Sequence, residues 1–205
     1  LLNTLSGAGV LAEDKLFATL DPTTRRVTLP SGREVLFTDT VGFIQKLPTQ
    51  LVAAFRATLE EVTEADALIH LVDITHPNAR QQAEAVSTVL KELDADQKPT
   101  LVAFNKIDLL PHPEEAGELA ARHPNYVAIS AERGIGIERL LARLEDLLIQ
   151  DMVAIQVLIP YQANELVALF HQRGMIETEE YRQSGTRLRG RIPARLLPHF
   201  RDYQT

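Results

Sequence analysis

Short apolar runs and helically spaced apolar positions alternate along the first part of the chain. The runs have the length of buried strands and predict strands at 67–72, 100–104 and 126–129. Between and after them, apolar residues recur every three or four positions, which predicts helices at 77–93, 113–122 and 137–148. This alternation indicates an α/β fold with a doubly wound, mostly parallel sheet, in which ligands bind beyond the carboxyl ends of the strands.

The segments that precede these runs have other signatures. Strand-like residues 26–30 and 34–38 flank Ser31-Gly32, which predicts a β-hairpin. Residues 8–24 have few periodic apolar positions and are predicted to form a long loop. Residues 51–64 carry apolar side chains at helical spacing and are predicted to form an amphipathic helix.

The pattern changes near residue 150. It then predicts a strand at 152–159, a helix at 162–173 and a polar hairpin of strands at 175–183 and 186–192. A β-α-β-β order over about 55 residues is typical of a small α+β domain. The sequence therefore predicts two domains, residues 1–150 and residues 151–205.

Charge is distributed unevenly between these two parts. Residues 1–150 carry 14 basic and 22 acidic residues, a net charge of −8, whereas residues 151–205 carry 7 and 6, a net charge of +1. The acidity of the whole chain argues against non-specific nucleic-acid binding but allows docking through a local basic patch. The chain has no cysteine and no apolar run long enough to span a membrane, which fits a cytoplasmic protein.

The motif with the clearest chemistry is Asn105-Lys106-Ile107-Asp108, which follows the apolar run that ends at Phe104. GTPases read guanine with an N-K-x-D box just past such a strand. The Asp108 carboxylate can accept two hydrogen bonds from the N1–H and N2–H₂ edge of guanine. Adenine lacks this pair of donors and would leave the carboxylate unpaired.

Two further motifs occur in the order that a GTPase requires. Asp39-Thr40-Val41-Gly42 ends the second hairpin strand, where an Asp holds Mg²⁺ through water and the Gly N–H reaches the γ-phosphate. Ser130-Ala131, followed by Glu132, lies after the strand at 126–129, where a backbone N–H contacts guanine O6. GTPases also need a Thr in the first mobile loop as a Mg²⁺ ligand, and Thr19, Thr23 and Thr24 all compete for this role on spacing.

The residues around these motifs resemble the HflX family of GTPases. Residues 11–26 resemble the first switch of that family, and residues 39–44 with 47–61 resemble its second switch and the following helix. Phe43, where Ras-like GTPases have the Gln that orients water, is also a mark of the family. The resemblance covers residues 1 to about 150 well and the tail less distinctively.

The resemblance implies a protein that binds GTP or GDP with Mg²⁺, associates with the large ribosomal subunit and helps split or rescue stalled ribosomes. It favours Thr19 as the Mg²⁺ ligand that joins Asp39. It also implies nucleotide contacts in the first switch, at Phe17, Ala18, Thr19, Leu20 and Asp21. No residue is assigned as the catalytic group that replaces the missing Gln.

The sequence contains no G-x-x-x-x-G-K-[ST] phosphate loop. It has no initiator Met and opens with residues that resemble the helix after such a loop, so we expect the first strand and the phosphate loop to precede Leu1 in a parent GTPase. The absent loop and Phe43 also motivate an alternative, a partner-docking module that works without nucleotide. A second alternative is a related GTPase in RNA modification, suggested by Thr23-Thr24-Arg25.

The predicted last strand carries a row of arginines. Arg187, Arg189 and Arg191 alternate with Leu188, Gly190 and Ile192, so on a strand the three guanidinium groups share one face. This pattern is typical of a solvated strand face. A second hypothesis is that it contacts the phosphates of ribosomal RNA.

We predict that the 205-residue chain binds GTP weakly or not at all and is inactive by itself. The reason is that a phosphate loop supplies most of the phosphate contacts, a Lys and a Mg²⁺-binding hydroxyl. Calorimetric titration of GTP with Mg²⁺ into the purified chain measures this, and tight binding would contradict it.

Overall fold

The chain is described by a computed structural model, which covers residues 1–7, 23–39 and 61–205. It divides into two compact units, Leu1–Leu147 and Leu148–Thr205. The division falls within one helix, close to the domain boundary that the sequence predicts at residue 150. Among the described helices, none combines the length and apolarity that a membrane span needs.

An antiparallel hairpin begins the described β-structure of the first unit. Its strands are β1, Thr23–Thr28, and β2, Glu34–Asp39. The prediction of a loop through residue 24 was wrong at its end, because Thr23 pairs with Asp39 and Thr24 with Thr38. The two threonine hydroxyls of the second pair lie 2.9 Å apart. β-branched residues such as threonine favour cross-strand pairs. The residues around Thr23 show no strand periodicity, so the sequence pattern does not predict this pairing.

The predicted parallel sheet is confirmed. Its strands, in spatial order, are β3 (Leu68–Asp73), β4 (Thr100–Asn105) and β5 (Tyr126–Ala128). The helices described in this unit include α1 (Leu2–Ser6), α2 (Ala79–Glu92), α3 (Pro113–Ala121) and most of α4 (Ile137–Gln150). At the centre of the parallel sheet, Leu101, Ala103 and Val127 are fully buried. Residues 61–64 are helical, and residues 51–60 of the predicted helix lie outside the described residues.

The parallel register brings the ends of neighbouring strands together. Asp73, the last residue of β3, pairs with Asn105, the last residue of β4. The loop that follows β5 joins the same edge, because the Ile129 N–H donates to the Phe104 carbonyl at 2.8 Å. The predicted guanine motif therefore lies at the carboxyl edge of the sheet.

The second unit is an antiparallel sheet packed on one helix. Its elements are β6 (Met152–Ile159), α5 (Asn164–Arg173), β7 (Met175–Arg182) and β8 (Gly185–Pro193), with β8 between β6 and β7. A short helix that the sequence analysis did not predict, α6 (Leu197–Phe200), completes the core. Phe200 packs edge-on against Phe170, with ring centroids 5.6 Å apart, and both side chains are fully buried.

Candidate guanine-nucleotide site

The N-K-x-D box forms a tight turn at the end of β4. Lys106 has a left-handed backbone conformation, with φ of 67°, which turns the chain directly into a 3₁₀ helix at Ile107–Leu109. Ile107 is buried, and its N–H donates to the Ile129 carbonyl at 3.3 Å. The turn is thus attached to the core, and the Asp108 side chain is held in a recess with 13 % of its surface exposed.

The Ser130-Ala131 loop is closed by its own backbone. Ser130 and Ile135 exchange two N–H to carbonyl hydrogen bonds of 3.0 and 3.1 Å. The buried Ser130 hydroxyl accepts the Arg133 N–H at 3.2 Å. Gly134 and Gly136 have φ of 70° and 74°, values that favour glycine, and they lead the loop into α4. The loop's shape is therefore held by its own hydrogen bonds.

One side-chain hydrogen bond joins the two motifs. The Ala131 N–H donates to Asn105 Oδ1 at 2.9 Å. Because a backbone N–H can only donate, the carbonyl end of the Asn105 amide faces Ala131 and its NH₂ group faces the other way. The Thr4 hydroxyl donates to the Ala131 carbonyl at 2.5 Å, so α1 is attached to the same loop.

The backbone N–H groups of Ser130 and Ala131 already have partners. The Ser130 N–H donates to Ile135 and the Ala131 N–H to Asn105. A guanine O6 contact at Ala131 would therefore share that hydrogen bond with Asn105. The exposed Glu132, the third residue of the predicted motif, lies at the open tip of the loop.

Asp73 belongs to the same edge but lies outside the motifs that the sequence predicts. Its Oδ2 lies 2.8 Å from Lys106 Nζ, and its Oδ1 accepts hydrogen bonds from the Thr75 N–H and hydroxyl. Burial would raise the pKa of Asp73, but the hydrogen bonds from Lys106 and Thr75, together with the Lys106 charge, hold it below its ordinary value. The signal in the sequence was its position, the last residue of the strand beside the N-K-x-D strand.

The charges leave Asp108 able to accept hydrogen bonds. A cationic contact of Asp108 is Arg133, whose Nε lies 3.9 Å from Asp108 Oδ2, beyond hydrogen-bonding distance. Arg133 itself is largely exposed. A recessed carboxylate beside an oriented amide can recognise a planar edge with two adjacent donors.

The remaining predicted residues divide into two groups. Asp39 is exposed at the carboxyl end of β2. The predicted residues that lie outside the described part of the chain are Phe17, Ala18, Thr19, Leu20, Asp21, Thr40, Val41, Gly42 and Phe43. Across residues 1–7, 23–39 and 61–205, no three His, Asp or Glu side chains cluster as a metal site.

Two family models match the chain. Residues 1–106 match the model described as 50S ribosome-binding GTPase, and residues 116–194 match the model of the HflX C-terminal domain.

Relatives described as GTPase HflX align with nearly all of the chain. The protein from Caldanaerobacter subterraneus is 41 % identical over 204 residues, which is 99 % of this chain and 46 % of that protein. The one from Magnetococcus marinus is 46 % identical over 88 % of this chain and 42 % of its own length. The Escherichia coli protein is 41 % identical over 91 % and 44 % respectively. The chain thus spans about half the length of the curated relatives it matches.

A solved structure is similar in fold. The crystal structure described as the complex of SsGBP and GDP has a TM-score of 0.58 and 27 % sequence identity. The match covers 73 % of this chain and 45 % of that one.

We predict that Gly136→Ala lowers the free energy of unfolding more than Gly134→Ala. Both substitutions impose a left-handed alanine, at roughly 1–2 kcal/mol. At Gly136 the added Cβ would also lie 2.4 Å from the Ala128 carbonyl oxygen, whereas at Gly134 it meets nothing within 4 Å. We therefore expect a loss of about 3 kcal/mol at Gly136 and about 1 kcal/mol at Gly134. Urea unfolding followed by circular dichroism measures both, and equal losses would contradict the close packing of this loop.

Proposed function

Because the chain belongs to the HflX family of GTPases, we propose that it forms the guanine-recognition part of a cytoplasmic factor that binds and hydrolyses GTP. The factor binds the large ribosomal subunit and helps split or rescue stalled ribosomes. The observation that supports guanine binding best is the Ala131 to Asn105 hydrogen bond, which joins the N-K-x-D box to the Ser130-Ala131 loop.

Guanine recognition follows from the donors and acceptors of the site. The Asp108 carboxylate accepts from N1–H and N2–H₂, and the outward NH₂ group of Asn105 donates to an acceptor of the base. The Ala131 N–H is shared between Asn105 and O6. An adenine would present its own amino donor near this N–H and no donor pair to Asp108, so the site rejects it.

The phosphate end of the nucleotide is assigned to the two switches. Asp39 and Thr19 supply a carboxylate and a hydroxyl, both hard oxygen donors that suit Mg²⁺. Bound Mg²⁺ would neutralise charge on the β- and γ-phosphates. In this assignment Phe17 to Asp21 and Thr40 to Gly42 line the phosphates, and Phe43 cannot polarise water. The group that orients the attacking water is then supplied from elsewhere, by a partner, a monovalent cation or another residue.

The exposed face of β8 is our candidate for a ribosomal RNA contact. Leu188, Gly190 and Ile192 are buried, whereas Arg187 is half-buried and Arg189 and Arg191 are exposed on the other face. Arg189 Nε lies 3.4 Å from Glu177, in a pair whose two side chains are more than half exposed. An exposed pair of this kind contributes little, so a phosphate could replace the carboxylate at small cost.

The two alternatives have less support. A docking function that needs no nucleotide does not explain why the largely buried Asp108 lies beside two loops that are joined by a hydrogen bond. The hypothesis of a GTPase that acts in RNA modification depends on Thr23-Thr24-Arg25. These residues form the start of β1, where they pair with β2.

We predict that Asp108→Asn changes the base preference of the full-length gene product. The variant loses the charged acceptor, so GDP affinity should fall by roughly 100-fold or more. Its amide NH₂ can donate to the C2 oxygen of xanthine, so xanthosine diphosphate should bind better than it does to wild type. Calorimetry with both nucleotides and Mg²⁺ measures the change.

The matched control is Asp146→Asn, which removes an exposed carboxylate from α4 in the same unit. It should leave both affinities unchanged. Guanine affinity that is absent in wild type, or that survives Asp108→Asn, would exclude the proposed base recognition.

We predict that replacing Arg187, Arg189 and Arg191 together by Gln weakens binding to purified large ribosomal subunits. The slope of log affinity against log salt should become shallower by about one for each phosphate that the variant no longer neutralises. The control variant replaces Arg80, Arg122 and Arg139, three exposed arginines of the first unit, and removes the same charge. Sedimentation at several KCl concentrations compares them, and identical curves for the two variants would assign the ribosome contact to another surface.

A further inference from the structure

We propose that Asp73 is a positioning residue for nucleotide recognition, which holds the Lys106 side chain across the base site from the end of the neighbouring strand. This inference rests on the proposed guanine binding and extends it to a residue outside the three motifs. The carrying observation is the contact of 2.8 Å between Lys106 Nζ and Asp73 Oδ2.

The contact is built into the sheet. Asp73 and Asn105 are paired residues at the ends of β3 and β4, so the residue after Asn105 leaves the sheet beside Asp73. The turn that follows β3 is attached to β4 by the Ile74 N–H, which donates to the Asn105 carbonyl at 3.2 Å. Strand register therefore brings the carboxylate and the lysine together.

The carboxylate is itself fixed in orientation. Its Oδ1 accepts the Thr75 N–H at 3.0 Å and the Thr75 hydroxyl at 2.6 Å, which leaves Oδ2 directed to the lysine. A side chain held by two local hydrogen bonds loses little further freedom when it pairs with an ammonium group. Such a pair can hold a long side chain better than a pair between two mobile residues.

The lysine is consequently restrained at both ends. The left-handed backbone orients its Cα–Cβ bond, and Asp73 contacts its Nζ at 2.8 Å. A lysine held in this way presents its four methylene groups as an apolar strip between two polar ends. Asp108 lies two residues further on, so a base whose edge reaches that carboxylate would lie with one face against the strip. Releasing Nζ would restore rotamer freedom to the strip and weaken the base contact.

The decisive experiment is a double-mutant cycle on GDP affinity in the full-length gene product. Asp73→Asn keeps the side-chain shape and an oxygen for Thr75 but removes the charge that holds Lys106. We expect GDP to bind about tenfold more weakly, a typical coupling for residues in contact. In a Lys106→Met background the same substitution should have no further effect, because the group that it positions is gone.

A structural readout accompanies the cycle. In the nucleotide-free wild-type protein, the Lys106 ammonium protons should exchange slowly with solvent, so that their ¹⁵N-detected NMR signal is observed. In Asp73→Asn the exchange should be faster and the signal lost. Thr75→Val is the second variant if Asp73→Asn fails to fold, and it should weaken GDP binding by about threefold. Glu84→Gln is the control, because it breaks the exposed Arg80–Glu84 pair of 3.0 Å on α2 and should leave affinity unchanged.

The outcomes separate the two proposals. Wild-type affinity in Asp73→Asn, or a loss that simply adds to that of Lys106→Met, would overturn the role of Asp73 and leave guanine recognition intact. A wild-type protein that binds no guanine nucleotide would remove the proposed function and this inference with it.

Discussion

The site depends on the hydrogen bond from the Ala131 N–H to Asn105 Oδ1. It joins two loops that lie 26 residues apart in sequence, and it does so at an edge where β4 and β5 already end together. Because both loops are also attached to the sheet by backbone hydrogen bonds, the bond itself orders little additional chain. The two joined loops at the carboxyl edge of the sheet position three features of the site. These are the largely buried Asp108 side chain, the orientation of the Asn105 amide and the place of Lys106.

Much of this arrangement could be predicted from sequence, because buried strands and amphipathic helices have distinct periodicities. The runs before Asn105 and Ser130 predicted parallel strands, and a parallel sheet binds ligands at the edge where those strands end. The N-K-x-D box and Ser130-Ala131 could be placed at one edge for that reason alone. The family assignment from residues 11–26 and 39–61 is confirmed by the comparisons, although most of those residues lie outside the described part of the chain.

What could not be predicted depends on pairing between distant residues. Thr23 and Thr24 form strand because they face Asp39 and Thr38, and nothing local distinguishes them from loop. The α6 helix is too short for a periodic signal, yet it places Phe200 on Phe170 in the core of the second unit. The contact between Asp73 and Lys106 depends on the register in which β3 pairs with β4. The apolar pattern determines which face of each strand is buried, but it does not determine this register.

The pairing of Asp73 with Lys106 also bears on Asp108. An N-K-x-D box carries a cation and a carboxylate two residues apart, and an ammonium group attracted to its own motif would compete with the base for that carboxylate. Asp73 offers Lys106 a carboxylate already oriented by Thr75, on the β3 side of the turn. The Nε of Arg133, whose side chain is largely exposed, lies 3.9 Å from Asp108 Oδ2, beyond hydrogen-bonding distance. In our proposal, the acid on the neighbouring strand holds the lysine on the β3 side of the turn.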